Sequence, residues 1–231
     1  MTEAEYWDLC ELVSTEIDQA IAVSSVYDSI NGAIRVDDLR PVLDRERLFW
    51  RTQLHSLQTT LFITMARIFD TAPDAYSIHA VIRGAIANTA FFSPESLRLR
   101  RLKEPPGNQP SLRDDLIARA WIPEARIFGE LRKPLAERTE LFRAIYQPIR
   151  NQIFAHRLAD TKTEWTLFEK THTAHIDGML AFLKKLIDLI RDAFQNGTEP
   201  KLGESSHGAY NQAFKDSTMN VLATLASAEE D

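Results

Sequence analysis

Residues 150–157 read RNQIFAHR. An arginine and an amide stand side by side, a histidine follows six residues after the arginine, and a second arginine comes directly behind it. Groups of these kinds bind a phosphodiester and move protons around it. RNA carries its own nucleophile, the 2′-hydroxyl, so its cleavage needs a proton carrier near neutral pH and a cation to steady the crowded negative charge. Histidine, with an ordinary pKa near 6.5, suits the first role, and a guanidinium suits the second. Asn151 can orient either the phosphate or the histidine by hydrogen bonding. The same residues also make a solvated helix face, and an Arg followed by a His at this spacing occurs by chance in a chain of this composition.

Helical geometry constrains the chemistry. On an ideal α-helix six residues turn roughly 600°, which leaves Arg150 and His156 about 120° apart around the axis and roughly 9 Å apart along it. A regular helix would place His156 on the apolar stripe of Phe142, Ile145 and Ile149, while Arg143, Arg150 and Arg157 repeat every seven residues as a basic stripe. The groups converge in one of two ways: the helix loosens near Ala155, or two copies of the chain meet across a two-fold axis. A packed, structural His156 is the competing reading.

The elements that position these residues read as helical throughout. TEAE at 2–5 has the capping-box form and opens a helix to about Ile30, with Asn31-Gly32 as its stop. A second helix is expected from Pro41 to about Asp70, with Leu54, Leu57, Leu61, Met65 and Ile68 on one face. Ser77 caps a third through about Phe91, and Ser93-Pro94 starts a short fourth. KEPPGNQP, 103–110, is a loop, and short helical pieces fill 112–131. A long helix spans about Leu135 to Leu158, and another runs from about His172 to Asn196, where Gly197 ends it. Residues 209–226 form a last helix. The expected fold is therefore an all-α helical bundle in a single domain. The helix of residues 2–30 packs on the rest of the bundle, and 198–231 is peripheral.

Composition narrows the functional classes. The chain has 231 residues, 44% of them hydrophobic and 26% charged, as in a soluble globular protein. Its one cysteine, Cys10, leaves no intrachain disulfide and no cysteine-based metal spacing. The acidic N-terminus does not resemble a secretory signal, and no apolar run approaches the roughly 20 residues of a membrane span, so a cytoplasmic protein is expected. The net charge of −6 argues against binding nucleic acid by bulk positive charge but leaves room for a local basic patch. LRLRRLK, 97–103, supplies one: Arg98, Arg100, Arg101 and Lys103 form either a phosphate-binding stripe or a solvated helix face. His172 and His175 could bracket a metal with Asp177 or Glu169, but a polar first turn is the simpler reading. His79 is expected to be a surface or partly buried residue. The four tryptophans are scattered and read as packing anchors. No metal or other cofactor is expected.

Arg150-Asn151-xxx-Ala155-His156, near the end of a long helix, resembles the Arg-polar-x-x-x-x-His signature of HEPN domains (higher eukaryotes and prokaryotes nucleotide-binding), and in particular of their abortive-infection, AbiU-type branch. LFITMARIFDTAPDAYSIHAVI, 61–82, is similar to the same branch, with an apolar helix, an Arg-x-x-Asp turn and a Ser-capped helix. The resemblance covers about residues 44–195 and implies a helical bundle, usually dimeric, that in the family's active members cleaves RNA without metal; a toxin or phage-defence role and an antitoxin protein as a partner are the expectations that go with it. Its implied catalytic residues are Arg150, Asn151 and His156. Arg143, Arg157, Arg98, Arg100, Arg101 and Lys103 are the candidates to hold RNA. A non-catalytic HEPN module that binds a nucleotide, RNA or protein is the alternative.

Overall fold

The computed structural model describes residues 1–36, 39–103, 115–155, 160–203 and 208–227. Among them there is no strand. The helices are α1 (Glu3–Ala33), α2 (Arg40–Arg45), α3 (Arg47–Ile68), α4 (Ile78–Ala87), α5 (Pro94–Lys103), α6 (Ala125–Glu130), α7 (Arg132–Leu141), α8 (Thr161–Phe168), α9 (Thr173–Asn196) and α10 (Gly208–Ser227). A single 3₁₀ turn, Thr89–Phe92, precedes α5, and one short helical turn occupies 115–118. None of the described helices is long and apolar enough to cross a membrane.

The chain divides into two compact units. The first comprises Met1–Thr15, Arg67–Phe142 and Asp177–Glu204. Its start is the expected capping box: the Thr2 hydroxyl accepts from the Glu5 amide at 3.2 Å, and the Glu5 carboxylate accepts from the Thr2 amide at 2.6 Å. Its core is built around Phe92, which is fully buried and meets the rings of Tyr6, Phe128 and Phe194. Aromatic pairs of this kind add to the area they bury. Cys10 is buried in the same unit, and loss of solvent pushes its thiol up to about 12, so it is a packing residue rather than a nucleophile. Ser77 caps α4 as expected, its hydroxyl accepting from the Ala80 amide at 3.4 Å. The next turn winds as 3₁₀ instead of continuing the helix to Phe91. His79 lies within hydrogen-bonding distance, 3.0 Å, of the buried Thr139 hydroxyl.

Gly197 ends α9 in the left-handed region, at φ +68°. A Cβ there would stand 2.7 Å from the Ala120 Cβ, and the Gly197 carbonyl accepts the Trp121 amide at 2.7 Å. Gly197→Ala should therefore cost more than the roughly 1–2 kcal/mol of a left-handed L-residue, because the chain at Ala120 must also move. A thermal melt that matches the unsubstituted protein would refute this account of the turn.

The second unit comprises Glu16–Ala66, Arg143–Ile176 and Ser205–Asp231. One cluster joins Ile30 and Ala33 of α1, Leu43 of α2 and Leu222 of α10, with Trp50, Leu54 and Leu57 of α3 packed against it. This cluster accounts for two departures from the expected boundaries. First, α1 runs through Asn31-Gly32 to Ala33, which is buried there. Second, the helix expected over 41–70 breaks at Glu46, and the break lets α2 and α3 both present apolar residues to the cluster. Helix α8 was not apparent in the sequence. Its start is capped by Asp160, whose carboxylate accepts the Thr163 amide at 2.8 Å.

Candidate active site

The segment carrying Arg150 is not a regular α-helix. After α7 the chain continues as a π-wound stretch, Phe142–Tyr146, a short α stretch, Gln147–Ile149, and a second π-wound stretch, Arg150–Ala155. Pro148 supplies a physical reason, since it has no N–H to give to the carbonyl four residues back and its ring crowds that carbonyl. Wider i→i+5 winding relieves both problems. The stretch is anchored by aromatic contacts within the second unit. Phe62 of α3 meets Tyr146 at 5.9 Å and Phe154 at 5.2 Å between ring centroids, and Phe154 also meets Phe168 of α8 at 6.4 Å. The Tyr146 hydroxyl donates to the His172 carbonyl at 3.1 Å, tying the stretch to the start of α9, and burial raises its phenol above the usual range.

Arg150 is half-buried in this setting. Its Nη1 donates to the Asn151 Oδ1 at 2.9 Å, while its Nε is buried and has no hydrogen-bond partner among the described residues. A cation pinned by one neutral amide, with donors left over, is equipped to grip an anionic oxygen. Arg143, on the first π-wound stretch, is exposed. His156 and Arg157 lie outside the described residues.

The second basic group belongs to the first unit. Arg98 pairs with Glu95 on the surface, at 2.7 Å. Arg100 donates to the Glu3 carboxylate, to the Phe91 carbonyl and to the Phe194 carbonyl, and its guanidinium lies 4.0 Å from the Phe194 ring centre. Arg101 donates to the Gln195 carbonyl and to Asn196, each at 2.8 Å. Two of the four cations thus satisfy carbonyls in the last turn of α9, where positive charge also suits the helix dipole. Lys103 ends α5, and its side chain lies outside the described atoms. The His172 and His175 rings meet edge-on at 5.0 Å, and no group of three potential metal ligands occurs among the described residues.

The sequence reading overlooked His55. It projects from α3 one turn after Arg51, and its ring lies 5.9 Å from that of Phe154 in the π-wound stretch. Only spatial adjacency singles it out, because 95 residues separate it from Arg150 in the chain. Arg51, His55 and Gln152 line one groove of about 920 Å³.

The profile of the HEPN family AbiU2 matches residues 8–221. The chain belongs to the AbiU2 family of HEPN proteins. The match extends past the 44–195 region whose motifs carry the resemblance, taking in α1 from Asp8 and most of α10. Both added helices contribute buried residues, among them Ile30 and Leu222. No curated protein and no solved structure matches the chain. Family membership fits the helical fold described above.

Proposed function

We propose that this AbiU2-family protein is an endoribonuclease that cleaves RNA through the 2′-hydroxyl without a metal, as a toxin or abortive-infection component. The observation that carries the reading is the Arg150 guanidinium, held by Asn151 on a π-wound stretch with its Nε unpartnered among the described residues. In the reaction the 2′-oxygen bonds to the adjacent phosphorus and the bond to the 5′-oxygen breaks. His156 takes the hydroxyl proton and a His156 imidazolium gives one to the leaving 5′-oxygen, while Arg150 offsets the charge on the phosphorane oxygens. The product ends in a 2′,3′-cyclic phosphate. Two copies would complete the site across a two-fold axis, an antitoxin protein would hold it in check, and the complex would act in the cytoplasm.

Cleavage of RNA by the purified protein in EDTA tests the reading. Cyclic-phosphate ends are expected, and a deoxyribose at the scissile position should block the cut. Activity that returns only with Mg²⁺ or Mn²⁺ would overturn the mechanism. The net charge of −6 favours a second reading, a non-catalytic module that binds a nucleotide, RNA or protein partner. Retained binding without cleavage is its signature.

A further inference from the structure

The groove beside the π-wound stretch is lined by a set of polar side chains that reach solvent. Arg51, His55 and Gln58 follow one another along a single face of α3, and Gln152 and Glu164 stand across from them on the π-wound stretch and α8. None of these five side chains hydrogen-bonds to a described residue. Two other polar side chains on the wall are engaged: Asp160 caps α8 by accepting the Thr163 amide, and the Thr52 hydroxyl donates to the Leu48 carbonyl. Among the described residues one cation, two carboxylates, two amides and an imidazole line a space of about 920 Å³, which is large enough for a nucleotide.

The donor and acceptor inventory selects the ligand. A free carboxylate accepts two parallel N–H donors, and among the RNA bases the guanine Watson–Crick edge alone offers two adjacent ones, N1–H and the 2-amino group. Its O6 takes a hydrogen bond from an amide, which Gln58 and Gln152 can each give. Adenine and cytosine put an acceptor beside their amine, and uracil has a single donor between two carbonyls, so each leaves one carboxylate oxygen facing an acceptor. Arg51 is the only cation on the wall among the described residues and suits the phosphate. The exposed His55 ring offers a flat face against which a base can stack.

We propose that this groove is a guanosine-recognition subsite, with Glu164 reading the base and Arg51 holding the phosphate. It rests on the proposed ribonuclease reading for its biological sense, since it makes the cleaved RNA guanosine-specific next to the motif stretch, but its binding chemistry stands apart from catalysis. The experiment is isothermal titration of the full chain with guanosine 3′-monophosphate and with uridine 3′-monophosphate. The guanosine nucleotide should bind at least about 10-fold more tightly, the worth of one well-made charged hydrogen bond. Glu164→Gln should bring the two within about 2-fold of each other, and Arg51→Ala should weaken both by about 10-fold. Circular dichroism melts of the variants confirm that each is folded.

Equal binding of the two nucleotides, no saturable binding, or variants that bind like the parent would each overturn the proposal. A protein that cuts RNA but shows any of these results keeps the ribonuclease reading and loses the subsite. One that binds guanosine 3′-monophosphate as described but cuts no RNA keeps the subsite and loses the ribonuclease.

Discussion

Replacing His156 with alanine is expected to lower RNA cleavage by about 10²-fold or more while leaving the melting temperature nearly unchanged, because a proton carrier contributes on this scale and its work is on the substrate rather than on packing. Arg150→Lys should be almost as damaging. Lysine keeps the charge but loses the planar fork, and with it both the hydrogen bond to Asn151 and the spare donors that would hold phosphate oxygens. A packed histidine predicts the reverse. Its removal would cost roughly 1–3 kcal/mol through a cavity or an unpaired partner, cleavage would survive in the folded fraction, and Arg150→Lys would be mild. Melts and cleavage assays on the two variants separate these outcomes.

Arg100→Ala is expected to destabilise the protein by about 2–3 kcal/mol, with a melting temperature lower by about 4–12 °C for a chain of this size. The substitution removes donors from two backbone carbonyls and from the Glu3 carboxylate, and it uncovers the Phe194 ring. The figure is below that for a fully buried pair because about a third of the Glu3 side chain is exposed. Arg98→Ala, which breaks only a surface pair, should change stability by less than about 0.5 kcal/mol. If Arg100→Ala instead melts like the parent and binds RNA more weakly, residues 97–103 are a phosphate-binding stripe after all. The contrast between two arginines two positions apart makes the measurement independent of net charge.

The all-α class, the capping box at Thr2, the Ser77 cap and the Gly197 stop follow from local chemistry, and local chemistry is what a sequence displays. Boundaries set by tertiary packing were harder to read. The break at Glu46 and the extension of α1 past Asn31-Gly32 depend on the cluster around Leu43 and Leu222, whose members come from distant parts of the chain. Arg150 and Asn151 stand out as candidates in the sequence because their types and order fit the chemistry. The irregular winding was signalled by Pro148 in the middle of an expected helix, and the regular periodicity on either side masked that signal. His55 had no signal at all, since one histidine on an amphipathic helix looks like any other until its neighbours are known. The basic run at 97–103 shows the opposite failure: sequence displays charge, but not the carbonyls of Phe194 and Gln195 that Arg100 and Arg101 cap.

The two π-wound stretches bear on how relatives of this chain can be recognised. A π turn absorbs one additional residue without displacing the helix on either side of it. A lineage can therefore gain or lose a residue inside such a segment while its flanking contacts, here Tyr146 and Phe154 against Phe62, stay where they are. The number of letters between the arginine and the histidine then records the local winding rather than the chemistry. A search pattern of fixed length would discard homologues that differ only by that residue, whereas one that tolerates a single-residue gap after the arginine would retain them.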